Sequence, residues 1–153
     1  MKNVGLIAVS IIVAALIGWF VYERFIVSEE TRVRRVLAGA EKALEKHDAI
    51  GFGNFIAPDY TDAWGYGAGE VKGIALEGMR EFETIEINPT DVAVEVSGAS
   101  ATIVFYPVCK FSNPDGQSFD VDREILKGHL LKLTLKNKDR VWRISRTELE
   151  AEK

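Results

Sequence analysis

Cysteine and histidine are scarce in this chain: its 153 residues include one cysteine, Cys109, and two histidines, His47 and His129. A single cysteine excludes a disulfide within the chain. It also disfavours a structural zinc site, because such a site takes four ligands that are mostly cysteine and histidine. We therefore expect neither a metal ion nor a cofactor.

Positive charge is not in excess, since 19 lysines and arginines stand against 23 acidic residues and the net charge is −4. Such a chain has no basic field that would attract phosphates, so nucleic acid is not an expected partner. A short basic cluster, Arg32, Arg34 and Arg35, follows Glu29 and Glu30. That mixture is typical of a solvated helix face.

Charged residues are absent from residues 4–22, and this length matches a membrane-spanning helix. Aromatic residues gather at positions 19–22, where they favour the headgroup layer. A cleaved signal peptide is the alternative, but residues 21–26 offer no small-residue cleavage site. We therefore predict a single-pass transmembrane anchor with its juxtamembrane segment over residues 1–27, in contact with the lipid bilayer through residues 4–22.

The membrane face is open to two interpretations. Arginines at positions 24, 32, 34 and 35 follow the apolar stretch and favour a cytoplasmic domain by the positive-inside rule. A tail of three residues before a single span is instead typical of a signal anchor whose domain is exported. We favour the extracytoplasmic placement.

Residues 28–150 are expected to form one α+β domain that begins with helices and a short strand. Ser28 is a suitable N-cap for the first helix, in which apolar residues recur every three or four positions. Asp48 is a suitable N-cap for a second, shorter helix that Pro58 ends. The predicted elements are a helix from residue 29 to near 47, a helix after residue 48, a strand over 60–64, a flexible loop over 65–69 and a helix over 74–82 with Ile74 facing inward.

The stretch from Val92 to Ile144 is predicted to form a curved antiparallel sheet, with one face covered by these helices. Residues 100–111 alternate two sets of side chains, as a strand with two different faces does. The turn at residues 113–116 has Pro114 and Gly116 at positions suited to them, so the chain is expected to return through residues 119–126 and 129–135. A second reversal at 137–139 leads into residues 141–145.

This order of elements resembles the nuclear transport factor two-like superfamily, which includes ketosteroid-isomerase-like and polyketide-cyclase-like proteins. The resemblance covers roughly residues 29–149 and implies a cone-shaped α+β fold that encloses a pocket, often paired into dimers through the sheet. The segments that carry it are 40–62 (with His47-Asp48 and Phe55-Ile-Ala-Pro-Asp-Tyr60), 91–98, 101–104 and 140–144.

The resemblance also implies where a catalytic residue would stand. Enzymatic members carry a base on the short strand after the second helix, at a position that corresponds here to Ala63 or Trp64, and neither side chain accepts a proton. The isomerase-type acid is likewise replaced by Leu130 or Leu131. No catalytic residue is therefore assigned, although Asp62 and His129 remain outside candidates. The predicted pocket residues are Tyr60, Asp62, Trp64, Tyr106 and His129.

Cys109 and His129 could form a nucleophile–base dyad only within hydrogen-bonding reach. The predicted hairpin pairs Cys109 near Val121, eight residues before His129, which is about 26 Å at ~3.3 Å per residue. Cys109 is therefore interpreted as a small core residue.

Taken together, the sequence predicts a membrane-tethered, non-catalytic binding or assembly module. It would hold a small apolar ligand or an envelope protein partner, and it could form a homodimer through the sheet. The alternative is an enzyme of the isomerase, cyclase or dehydratase kind that uses a pocket aspartate or histidine.

Overall fold

The structure, a computed structural model, describes the backbone of residues 2–21, 28–122 and 124–151, and the side chains of residues 11–20, 28–122 and 124–151. The transmembrane anchor predicted over residues 1–27 is not supported in this described part of the chain, where no helix has the length and hydropathy needed to cross a membrane. The elements are α1 (Lys2–Val21), α2 (Glu29–Glu45), α3 (Ala49–Phe55), β1 (Ile56–Asp62), α4 (Ala68–Glu81), β2 (Thr84–Ile87), β3 (Thr90–Ser97), β4 (Ser100–Tyr106), β5 (Cys109–Ser112), β6 (Ser118–Val121), β7 (His129–Lys138) and β8 (Val141–Ala151).

Helices α2 and α3 begin where their capping residues predict. The Ser28 side chain accepts a hydrogen bond from the Thr31 backbone N–H at 3.1 Å, and the Asp48 carboxylate accepts one from the Gly51 N–H at 2.8 Å. Each cap satisfies a backbone donor that has no partner within its helix. The apolar stripe of α2 is buried as predicted, at Val33, Val36, Leu37, Ala40 and Ala43.

The strands form two sheets, of which the larger is mixed. Its five strands run in the order β1-β8-β7-β4-β3, and the smaller sheet has the order β2-β5-β6. Strand β1 pairs with β8 in parallel, whereas a wholly antiparallel sheet was expected. Strand β8 is the last strand of the chain and lies beside the first, β1. All the other strands and helix α4 lie between them in sequence, and this provides the long crossover that a parallel pair requires.

The long predicted hairpin is present but interrupted on both sides. Pro107 and Val108 separate β4 from β5, since proline has no N–H to give to the sheet. On the returning side the strand predicted over 119–126 stops at Val121, because the Asp122 carboxylate accepts hydrogen bonds from the N–H groups of Glu124 and Ile125 and starts a turn. The hairpin therefore bends from the larger sheet into the smaller one.

Helix α4 begins six residues earlier than the predicted helix over 74–82. The Glu70 carboxylate accepts a hydrogen bond from the Gly67 N–H, which caps the helix in the stretch expected to be a flexible loop. The earlier start does not bring Ile74 inward, since 51% of that residue is exposed, whereas Met79 on the same helix is buried.

The helices α2, α3 and α4 cover the inner face of the bent sheets. Helix α2 packs against β2, β3 and β8, and α3 packs against β1, β8 and α4. Ile103, Leu135 and Val33 are the largest fully buried side chains, and they join the centre of the larger sheet to α2. The strand alternation predicted for residues 101, 103 and 105 is confirmed, because all three are buried.

Candidate functional site

An apolar cavity of about 220 Å³ lies between the helices and the inner faces of the two sheets. Larger depressions lie elsewhere, and the one of about 610 Å³ is a more open groove on the surface. Among the described residues of the cavity wall, Glu41 is the one carboxylate. The wall consists of Leu37, Ala40, Glu41, Leu44, Phe52, Ile56, Tyr60, Val71, Ile87, Phe105, Pro107, Cys109, Leu131, Leu133, Ile144 and Thr147.

Glu41 is placed in this wall by helical spacing. Leu37 lies four residues before it and Leu44 three residues after it, so all three side chains share one face of α2. The Oε1 atom of Glu41 is buried and has no hydrogen-bond partner among the described residues. Burial, and then the negative charge of Glu45, raise the pKa of Glu41 from 4.5 to about 7. The carboxyl group therefore gains and loses its proton near neutrality.

Cys109 lies close enough to Glu41 for the two groups to influence each other's charge. Burial, and then the charge of Glu41, raise the pKa of the Cys109 thiol to about 11. The thiol is therefore neutral near pH 7 and unsuited to act as a thiolate nucleophile. Cys109 pairs with Val121 in β5 and β6, as predicted, while His129 opens β7 in the other sheet.

Tyr60 is the sequence-predicted pocket residue that the structure places in this wall. It is buried on β1, and Thr147 on the neighbouring β8 also lines the cavity. Burial raises the pKa of Tyr60 above its ordinary value, so the phenol keeps its proton. The cavity wall thus has a second polar side chain, and its hydroxyl is neutral near pH 7.

Asp62 is buried, but it organises the loop after β1 and does not line the cavity. Its Oδ1 atom accepts hydrogen bonds from the backbone N–H groups of Trp64 at 2.9 Å and Tyr66 at 2.8 Å. Trp64 lies beyond the last residue of β1 and 56% of it is exposed. Trp64 is therefore outside the strand, and its side chain need not face the same side as that of Tyr60.

His129 and Tyr106 also lie away from the cavity wall. The His129 Nδ1 is 2.8 Å from the carbonyl oxygen of Leu126, within the turn that precedes β7. Asp62 pairs with Thr147 on β8, which pairs in turn with Leu133, four residues along β7 from His129. Asp62 and His129 are therefore two strands apart across the sheet and four residues apart along it, which corresponds to a distance of about 16 Å. These two residues do not form a catalytic pair.

Glu41 was not recognised from the sequence, although a signal for it was present. A carboxylate spaced between Leu37 and Leu44 interrupts the apolar stripe of α2, and such a position is costly unless the group has a partner or a function. No group of three or more histidine, cysteine, aspartate or glutamate side chains in the described part of the chain is arranged to hold a metal ion.

No protein-family model matches the chain, and no curated protein is similar to it in sequence. Similar solved structures include a nuclear transport factor 2-like superfamily protein from Salmonella enterica, with 13% identity, a TM-score of 0.66 and coverage of 81% of this chain and 91% of that one. A candidate aromatic ring hydroxylase from Novosphingobium aromaticivorans has 12% identity, a TM-score of 0.68 and coverage of 82% and 90%. A candidate dehydratase of the same superfamily from Streptomyces avermitilis has 16% identity, a TM-score of 0.65 and coverage of 82% and 96%. The sequence identities are low, and the structural similarity shows that this chain has the nuclear transport factor 2-like fold.

Proposed function

We propose that the domain binds a small, largely apolar molecule in the interior cavity, with one polar group of that molecule hydrogen-bonded to Glu41. The observation that carries this proposal is the buried Glu41 Oε1, which has no hydrogen-bond partner among the described residues of an otherwise apolar wall. Leaving such an atom without a partner costs about 1–3 kcal/mol, and a ligand with a hydroxyl or amine donor would recover part of that cost.

The size of the cavity limits the ligand. An apolar cavity of about 150 Å³ holds benzene, and the cavity here is about 220 Å³. A one- or two-ring molecule with a single donor therefore fits both the volume and the chemistry of the wall.

The test is a fluorescence titration at pH 8 with 2-naphthol, which has a donor, and with naphthalene, which has none. Glu41→Gln should weaken 2-naphthol binding about tenfold, because the hydrogen bond to a charged acceptor becomes one to a neutral amide. Naphthalene affinity should stay within about threefold, since it depends on apolar contact. Glu77→Gln, an exposed substitution on α4, is the matched control. Equal 2-naphthol affinity in the Glu41→Gln variant would remove Glu41 from the binding site.

A second candidate function is acid–base catalysis by Glu41. It is favoured by the pKa of about 7, since a general base works best when its pKa lies near the operating pH. The similarity to a candidate dehydratase agrees with this function. In this case Glu41 would take a proton from carbon in one step and return it, or deliver it to a leaving group, in the next.

The carbon acid 5-nitrobenzisoxazole tests this second candidate without knowledge of the natural substrate. A carboxylate removes its C3 proton while the N–O bond breaks, and the product is a coloured cyanophenolate. Catalysis by Glu41 predicts a rate that rises with pH through about 7 and falls at least ~100-fold in Glu41→Gln, but not in Glu77→Gln. A rate no higher than that of buffer in the unchanged protein would leave ligand binding as the function.

We also propose, from the uncharged stretch of residues 4–22, that α1 anchors the domain in a lipid bilayer with the domain on the extracytoplasmic side, although no helix among the described residues meets the length and hydropathy of a membrane span. Residues 4–22 are uncharged, and α1 extends over 20 residues. All its described side chains, 11–20, are exposed, including Leu16 at 64% and Trp19 at 69%. Exposed apolar surface of this extent favours a membrane or protein partner. An envelope protein that uses the tethered domain as an assembly module would be compatible with the same placement.

Extraction of membranes with alkaline carbonate tests the anchor. The full chain should stay in the pellet, and an Ile12→Lys/Leu16→Lys variant should move to the supernatant, because each lysine at the centre of a span costs about 2.5–3.5 kcal/mol. Protease treatment of intact spheroplasts then reports the membrane face, since an extracytoplasmic domain is digested and a cytoplasmic one is protected.

A further inference from the structure

Basic side chains surround two adjacent grooves at one end of the domain, although the whole chain has a net charge of −4. The larger groove, about 610 Å³, is called here the arginine groove after Arg32, Arg35, Arg140 and Arg143 in its wall. The second groove, about 440 Å³, shares Val141 and Arg143 with the first and adds Lys136 and Lys138. Six of the 19 lysines and arginines therefore lie on one face.

The fold assembles this groove from two distant segments. Arg32 and Arg35 are three residues apart and so share a face of the first turns of α2. Arg140 and Arg143 flank the start of β8, where the backbone turns from β7 with φ of 65° at Arg140. The Trp142 indole, between these two arginines, donates a hydrogen bond to Glu29 at 2.7 Å and holds the two segments together.

Acidic residues close to this face are fewer than the basic ones. Arg32 is paired with Glu29 at 3.1 Å, and Lys136 is paired with Asp59 at 3.0 Å. Asp139 lines the second groove. The described wall of the arginine groove itself contains no acidic residue. Arg32 and Arg35 each form a further interaction, so the positive field of this face comes mainly from Arg140, Arg143 and Lys138.

The geometry of one arginine is fixed by the backbone. The Arg143 Nε donates a hydrogen bond to the Asn54 carbonyl oxygen at 3.2 Å, which holds its guanidinium at the groove wall. A guanidinium presents paired N–H donors that match the oxygens of a phosphate group. Several such groups around one groove favour a phosphate-bearing ligand.

The position of the groove along the chain indicates which phosphate it meets. Six residues, 22–27, connect α1 to α2, and a chain of that length reaches about 20 Å when fully extended. The groove therefore lies near the C-terminal end of α1, and Phe20 of α1 forms part of its wall. An apolar helix and a basic groove at its end together match a bilayer and its anionic headgroups.

We propose that the arginine groove binds the phosphate of an anionic lipid headgroup and thereby holds the domain in one orientation on the bilayer surface. This inference rests on the proposed anchoring of α1. The remaining faces of the domain carry the excess negative charge, so an anionic bilayer repels them and attracts this one.

The experiment compares the full chain in nanodiscs of phosphatidylcholine alone with nanodiscs containing about 30% phosphatidylglycerol, a composition that gives the bilayer a negative surface potential. Hydrogen–deuterium exchange is followed in residues 28–36 and 137–143. We expect about fivefold slower exchange in the anionic discs, and loss of this difference at about 0.5 M salt because exposed charges are then screened.

Two matched variants separate the groove from net charge. Arg35→Gln/Arg140→Gln removes two exposed groove charges and should abolish the slowing. Lys46→Gln/Arg80→Gln removes two exposed charges elsewhere and should retain it. Retained slowing in the first variant, or equal exchange of the unchanged protein in the two kinds of disc, would overturn the groove assignment.

Further outcomes distinguish the lipid from free phosphate and the groove from the anchor. Slowing by inorganic phosphate in phosphatidylcholine discs would identify a site for soluble phosphate and overturn the lipid assignment. Co-elution with anionic discs alone, lost in Arg35→Gln/Arg140→Gln, would overturn the anchor and support the groove. Co-elution with neither kind of disc would overturn both.

Discussion

The indole Nε1 of Trp142 donates a hydrogen bond to Oε2 of Glu29 at 2.7 Å, although 113 positions separate the two residues. Glu29 is the first residue of α2, and Trp142 is the second residue of β8. The Trp142 side chain is buried. This contact therefore joins the start of the domain to its last strand.

Trp142→Ala should lower the free energy of unfolding by about 3–5 kcal/mol, because it leaves a cavity in place of a large buried ring. Trp142→Phe should lose about 1–2 kcal/mol, since it keeps most of the apolar volume but not the hydrogen bond to Glu29. Urea denaturation of both variants provides the measurement. A loss below about 1 kcal/mol in the alanine variant would contradict the buried position of the ring.

The raised pKa of Glu41 predicts that the free energy of unfolding decreases as the pH rises. Its pKa in the folded state, about 7, is above its ordinary value of 4.5. The stability it contributes is therefore fully present below pH 4.5, falls as the pH rises towards 7 and is lost above it. In Glu41→Gln this part of the pH dependence should disappear, and at pH 8 the variant should be more stable by about 1 kcal/mol, the effect being reduced by solvent around a half-buried group. Urea denaturation at several pH values, with Glu77→Gln as control, isolates the effect.

The reactivity of Cys109 reports on the charge of Glu41. That charge is the second cause of the raised thiol pKa, after burial. Glu41→Gln should therefore lower the pKa of Cys109 and speed alkylation by iodoacetamide at pH 9 about two- to fivefold, because the thiolate is the reactive form. An unchanged alkylation rate would mean that the two side chains are too far apart to interact.

Asp62 should matter for stability and not for the ligand. Asp62→Ala removes the acceptor for the Trp64 and Tyr66 N–H groups and should cost about 1–3 kcal/mol. Asp62→Asn keeps an acceptor oxygen and should cost less than about 1 kcal/mol. Affinity for 2-naphthol should stay within about threefold in both variants, because the side chain lies outside the cavity wall. A tenfold change in Asp62→Asn would return Asp62 to the candidate site.

Local features of the fold could be predicted from the sequence because their causes are local. Ser28 and Asp48 cap the helices that follow them, and the alternation through residues 101–105 identifies the buried face of β4. The turn at residues 113–116 is also present, with a hydrogen bond from the Gly116 N–H to the Asn113 carbonyl oxygen. Each depends on residues within a few positions of one another.

The site was predicted less well because it depends on which distant segments meet. Five pocket residues were predicted, and of these the structure places Tyr60 in the cavity wall. The spacing of Glu41 on α2 was visible in the sequence. Its proximity to Cys109, 68 positions later in the chain, was not. The raised pKa of Glu41 results from burial by those distant segments.

The sequence by itself determined the helical stripes, the caps, the turns and the apolar stretch of residues 4–22, since propensity and periodicity act over short distances. Only the tertiary structure decided that β1 runs parallel to β8, that one carboxylate stands in an apolar cavity and that Arg32 and Arg35 meet Arg140 and Arg143. These relationships follow from packing between segments about 70 to 110 positions apart, where the gain from burying apolar surface overrides the preferences of any single segment.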